Sequence, residues 1–169
     1  TNDAKEQAHT VARSLLKEDY PFTIQALAVW QASDVLLGST GFGLQGPSKA
    51  HVQAARALLL KVKARLPQKK TRDVQKAYGR ILLQLIDIDL DKKEVINRLF
   101  KELEVNCPVM LEGADYYVRK SDAQANHSNY GAALVSLKRA IALTNDPNRR
   151  KKLKTRISEL QRNRLLLGR

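Results

Sequence analysis

Three histidines, His9, His51 and His127, and a single cysteine, Cys107, are the side chains best suited to metal ligation or to proton transfer and nucleophilic attack near neutral pH. None of the histidines has a second one four residues along, the spacing that sets two imidazoles on one helix face around a metal. They read as surface or helix-end residues. Cys107 precedes Pro108, and a nucleophilic thiol needs a base and an orienting group that the sequence does not single out. It reads as a small apolar residue in a turn. Asp87, Asp89 and Asp91 imitate the opening of a calcium loop, but Lys92 and Arg98 stand where that loop needs glycine and glutamate. Gly41, Gly43 and Gly46 before Pro47-Ser48-Lys49 lack the Gly-Lys-Ser/Thr of a phosphate loop. With no carboxylate pair set in apolar surroundings either, the expectation is a non-enzymatic chain with no catalytic residue, metal or cofactor site.

The chemistry that remains is electrostatic. Thirty lysines and arginines face seventeen aspartates and glutamates, a formal charge of +13. The excess is concentrated. Lys61, Lys63, Arg65, Lys69, Lys70, Arg72, Lys76 and Arg80 share residues 61–80 with Asp73 alone. Arg149, Arg150, Lys151, Lys152, Lys154, Arg156, Arg162, Arg164 and Arg169 share 148–169 with Glu159 alone. A localised excess is a better electrostatic footprint than a high isoelectric point. It predicts an acidic partner, with nucleic acid as the alternative, held by a basic patch of Lys61, Lys63, Lys69, Lys70, Arg72, Lys76, Arg80, Arg149, Arg150, Lys151 and Lys154. Four cations from Arg149 to Lys152 open a helix, where positive charge opposes the helix dipole, so something anionic is expected to offset them.

The elements that position these charges are read from periodicity. At 169 residues and 43% hydrophobic content the chain is long enough for one domain with a core. Strict alternation is almost absent, and apolar residues recur at three and four, so the fold is expected to be all-α with about eight helices. The first spans Asn2 to Glu18. The second follows Pro21, carries Phe22, Ala26, Val29, Trp30 and Leu37, and ends at Gly38. Residues 38–47, rich in glycine, read as a mobile connection. Ser48 caps the third helix and Thr71 the fourth. The fourth is expected deepest in the core through Val74, Tyr78, Ile81, Leu82 and Leu85. Asp91 with Glu94 resembles a capping box for the fifth, Lys92 to Glu104. Pro108 opens a sixth running to about Ala125, Asn129 caps the seventh, and Asn145-Asp146-Pro147 precedes an eighth with the narrow stripe Leu153, Ile157 and Leu160. No apolar run reaches the ~18 residues of a membrane span. A first residue Thr1 in place of Met reads as processing or truncation. A lone cysteine leaves cytosol and periplasm open, the cytoplasm being favoured for a soluble chain.

An internal period of 38 residues relates the fifth and seventh helices: Val95 and Ile96 match Ala133 and Leu134, Leu99 matches Leu137, and Leu103 matches Ile141. The run Gly113-Ala114-Asp115-Tyr116-Tyr117, then Asn129-Tyr130-Gly131-Ala132-Ala133-Leu134, Ala140 and Asp146-Pro147, resembles a tetratricopeptide repeat. Residues 108–147 carry it well and 71–105 weakly. Tyr117 and Tyr130 stand further apart than the family's short first helix requires, and 38 exceeds its 34-residue period. The resemblance implies antiparallel helix pairs in a right-handed superhelix with a polar C-terminal cap: one helical-repeat domain over 1–169, with an N-terminal pair at 1–37 and a repeat region at 48–169. It also implies a protein–protein interaction scaffold or adaptor whose groove, near Tyr117, Arg119, Lys152 and Arg156, receives an acidic segment of another protein. The family's lysine–asparagine carboxylate clamp is not carried over, because Met110, Ala114, Tyr117 and Val118 occupy the corresponding stretch. A subunit whose basic faces are buried in a larger assembly is the third reading.

Overall fold

A computed structural model describes residues 2–38 and 47–166, and these are helical with no strand: α1 Asn2–Leu15, α2 Phe22–Leu37, α3 Lys49–Lys63, α4 Arg72–Ile88, α5 Lys93–Asn106, a 3-10 helix Pro108–Glu112, α6 Ala114–Asn126, α7 Tyr130–Ala142 and α8 Pro147–Leu166. The chain divides into two compact units, Thr1–Ile88 and Asp89–Arg169. No described helix is long and apolar enough to cross a membrane.

In the first unit α2 packs against α1, α3 and α4. Small residues at the crossings, Ala12, Ala26, Ala32 and Ala55, are all buried and let the helices approach closely. Around them lie Val29, Leu58, Leu59, Val62, Leu82 and Ile86, none more than 2% exposed. The fourth helix carries the longest buried run, with every residue from Ile81 to Ile86 inside, as its broad apolar face predicts. Gly38 closes α2 in the left-handed region, φ 74°, its N–H on the Val35 carbonyl. A glycine takes that conformation without Cβ strain. The rest of the glycine-rich connection, residues 39–46, lies outside the described residues.

Local hydrogen bonds confirm three of the expected caps. The Ser48 hydroxyl accepts from the His51 N–H at 3.3 Å, Thr71 from Val74 at 3.3 Å and the Asn129 side chain from Ala132 at 3.3 Å. Asp91 is a correction: it lies in a turn, and α5 starts after Lys92, which has no side-chain cap. The carboxylate that matters there is buried Asp89, 2.5 Å from the Lys92 ammonium. The sixth helix is also corrected. Pro108 starts only a short 3-10 helix, and Gly113, extended at φ −107°, ψ 153°, restarts the chain as α6.

The core of the second unit is built from α6, α7 and α8: Ala114, Ala133, Leu134, Leu137, Ala140, Leu153 and Leu160. Ala133 and Ala140 are wholly buried. The turn between α6 and α7 holds Ser128 at φ 59°, and the Asn129 N–H reaches back to the Gln124 carbonyl at 2.8 Å.

Candidate functional site

The two basic segments lie one in each unit. In the first, Arg72, Lys76 and Arg80 recur every four residues on α4 and are exposed, a row of about 12 Å at 1.5 Å per residue. Lys61 and Lys63 end α3, and Lys69 and Lys70 lie in the link to α4. Two arginines of this segment are held by groups that carry no charge. The Arg65 guanidinium donates to the Gln25 side-chain oxygen at 3.0 Å, while the buried Gln25 amide donates to the Glu18 carbonyl at 2.9 Å. Arg80 lies over the Trp30 ring, 5.5 Å from its centroid, where the ring's negative face attracts the cation.

Beside that row, α2 and α4 leave a groove of about 260 Å³ with Ala26, Leu27 and Trp30 on one wall and Asp73, Lys76, Ala77 and Arg80 on the other. Leu27 is 44% exposed, and Ile24, one turn earlier, 47%. The second helix is apolar almost all round, so its packing against α1, α3 and α4 leaves an apolar strip outside. A helix of that character is ordinarily buried on every side.

In the second unit the anion expected at the start of α8 comes from within the chain. Arg149 donates to the Asp115 carboxylate and Arg156, two turns on, to Asp122. Asp146 accepts the Asn148 N–H at 2.9 Å, and the Thr144 carbonyl takes Arg150 at 2.7 Å. Burial raises the Asp122 carboxyl above the usual aspartate range, outweighing the Arg156 and Arg119 charges that favour its ionised form. Arg119 and Arg156 thus meet around one carboxylate. Tyr117 instead packs half-buried on the α7–α8 core with Arg139 over its ring at 5.9 Å. Lys151, Lys152 and Lys154 point to solvent.

A second recess, between α5 and α6, escaped the sequence reading. Its cavity measures about 540 Å³. At one end the Tyr116 hydroxyl donates to Glu104, and the Lys120 ammonium reaches both, each at 2.8 Å. Burial works to raise the Glu104 carboxyl, but the bonds from Lys120 and Tyr116 prevail and hold it below the usual range. Burial and the bond to Glu104 push the Tyr116 hydroxyl up to about 12. Burial opposes the Lys120 charge, yet its bonds to Glu104 and Tyr116 raise it above the ordinary lysine range. Together the three side chains clasp the end of α5 to the start of α6. Phe100 was the legible signal, four residues after Ile96 on the same face as Glu104. Cys107, wholly buried, closes α5, and no described group of histidine, cysteine and carboxylate side chains could hold a metal ion.

Comparison of the chain with protein-family models, with curated proteins and with solved structures finds no match.

Proposed function

We propose that the chain is a non-enzymatic protein-interaction module whose first unit takes an acidic, amphipathic segment of another protein along α2 and α4. The observation that carries this is the pairing of two features on one face: the apolar wall Ala26, Leu27 and Trp30, and the row Arg72, Lys76 and Arg80 beside it. An apolar helix face laid into such a groove gives affinity, and the cationic rim selects a partner with carboxylates on its flank. Asp73 within the groove adds a local repulsion against misplaced carboxylates.

The tetratricopeptide-like reading of the second unit has its own support. Its two small residues seven apart, Ala133 and Ala140, are buried without exposure between helices. Both α6–α8 ion pairs join residues 34 apart, the repeat length of the family that the sequence resembles. On this reading α6 and α8 are first helices of successive repeats, and Arg119 and Lys152 flank the groove they line.

Photocrosslinking with mass spectrometry tests the proposal on the full chain. An acidic amphipathic helical peptide bearing a photoreactive side chain is expected to mark residues 24–30 and 72–80. Marking confined to α8 would overturn it. The nucleic-acid alternative predicts that a single-stranded RNA probe, and not the peptide, labels both 61–80 and 149–164, with affinity falling steeply as salt rises.

A further inference from the structure

We infer that Asp73 makes the partner of the α2–α4 groove a charge-ordered helix, with a lysine or arginine at one end of its apolar stripe and carboxylates two turns along at the other. This rests on the reading of the groove as the seat of an amphipathic segment, and it fixes which way that segment lies. Phe22 at the start of α2 meets the Tyr78 ring, 6.2 Å between centroids, and Trp30, further along α2, meets Arg80, further along α4. The two helices therefore run in the same direction. Their lining residues keep the same helical spacing, Thr23 to Trp30 on one wall and Asp73 to Arg80 on the other, so each wall is two turns long, about 10 Å. Asp73 and Thr23 form one end of the groove, Arg80 and Trp30 the other.

The charge in the groove comes from α4 alone, because the lining residues of α2 carry none. It changes sign along the way. Asp73 is negative at the first end, Lys76 and Arg80 are positive beyond it, and Arg72 does not line the groove. Asp73 is exposed and forms no ion pair among the described residues, so its charge is open to whatever lies beside it. A uniformly acidic helix laid here sets a carboxylate against Asp73, and like charges held across an interface work against binding. A helix with a cation at that end meets Asp73 with the opposite charge while its carboxylates still reach Lys76 and Arg80. The position of Asp73 in the first turn of α4 also favours its charge through the helix dipole. Its removal therefore affects the fold as well as binding, and the informative quantity is the coupling between Asp73 and the partner's cation.

Two synthetic helical peptides with the same apolar stripe, titrated into the full chain by fluorescence anisotropy, test the inference. One carries a lysine at one end of the stripe and glutamates two turns along; in the other the lysine is replaced by glutamate. The ordered peptide is expected to bind about fivefold more tightly. Asp73→Lys is expected to reverse that preference, and a photoreactive group beside the peptide's lysine should mark residues 23–27 and 73, with one at the glutamate end marking Trp30 and Arg80. Equal binding of the two peptides, or an Asp73→Lys chain that changes both affinities by the same factor, would overturn the inference while leaving the groove reading in place. Binding by neither peptide would remove both. Should Asp73→Lys fail to fold, the peptide pair on the unsubstituted chain and on Asp73→Asn, where the preference should vanish, decides the matter.

Discussion

Residues 61–80 and 148–169 carry nearly equal excesses of positive charge, +7 and +8, yet the two units treat them differently. In the first unit Arg65 and Arg80 are positioned by an amide oxygen and an indole ring, partners that fix a guanidinium without cancelling its charge. In the second, Arg149 and Arg156 are positioned by Asp115 and Asp122. The carboxylates are contributed by another helix, so the charge of α8 read along the sequence overstates the field it presents. Arg65 and Arg80 thus keep their charge for solvent or a partner, while Arg149 and Arg156 spend theirs within the second unit.

Several substitutions would break or sharpen that contrast. The largest effects belong to the cores: Leu82→Ala in the first unit and Leu137→Ala in the second, both wholly buried, are each expected to cost about 2–5 kcal/mol in urea unfolding. Next, Lys76→Glu with Arg72→Glu is expected to weaken an acidic amphipathic peptide more than tenfold with little change in urea midpoint, whereas Lys151→Glu with Lys154→Glu leaves it within a factor of three. Asp115→Asn with Asp122→Asn tests the converse. Releasing Arg149 and Arg156 should steepen the salt dependence of heparin binding, with little cost in stability from the exposed Arg149–Asp115 pair and the larger share from the part-buried Arg156–Asp122 pair. If heparin binding does not change, neutralisation by α6 is not what restrains α8.

The smallest effects are those of pH in the α5–α6 clasp. Glu104 titrates below its ordinary value, so it adds stability above the unfolded-state value of 4.5 that is lost as pH falls through the lower folded value. Glu104→Gln should flatten that acid limb. Tyr116, raised to about 12, works in the opposite sense: stability is lost as pH rises from its unfolded value of 10 toward 12. Absorbance at 295 nm should show one tyrosine ionising late, and earlier in Glu104→Gln.

Much of the architecture was legible because local chemistry decides it. Ser48, Thr71 and Asn129 cap helices wherever the chain goes, and prolines and Gly38 end them. The misreadings arise where two local options compete. Pro108 signals a helix start without its length, so the restart at Gly113 was missed. Asp91 and Glu94 spell a cap, but Asp91 stays in the turn and buried Asp89 pairs with Lys92, the residue before α5. The candidate surfaces were half legible. Trp30 was read among the apolar residues of the second helix and Arg80 as part of the basic patch, and only the packing of α2 on α4 puts one over the other. Arg156 was identified as a binding residue, but its carboxylate partner lies 34 residues away and becomes visible only when α6 and α8 are neighbours.

Trp30 is the chain's only tryptophan and lines the proposed groove, so its fluorescence reports occupancy without a label. Titrating an acidic amphipathic peptide into the full chain at low and high salt is the most direct measurement. A saturable change in Trp30 emission is expected at low salt, weaker at high salt and abolished by Lys76→Glu with Arg72→Glu. Peptide binding that leaves Trp30 emission unchanged, or a response indifferent to those two charges, would contradict it.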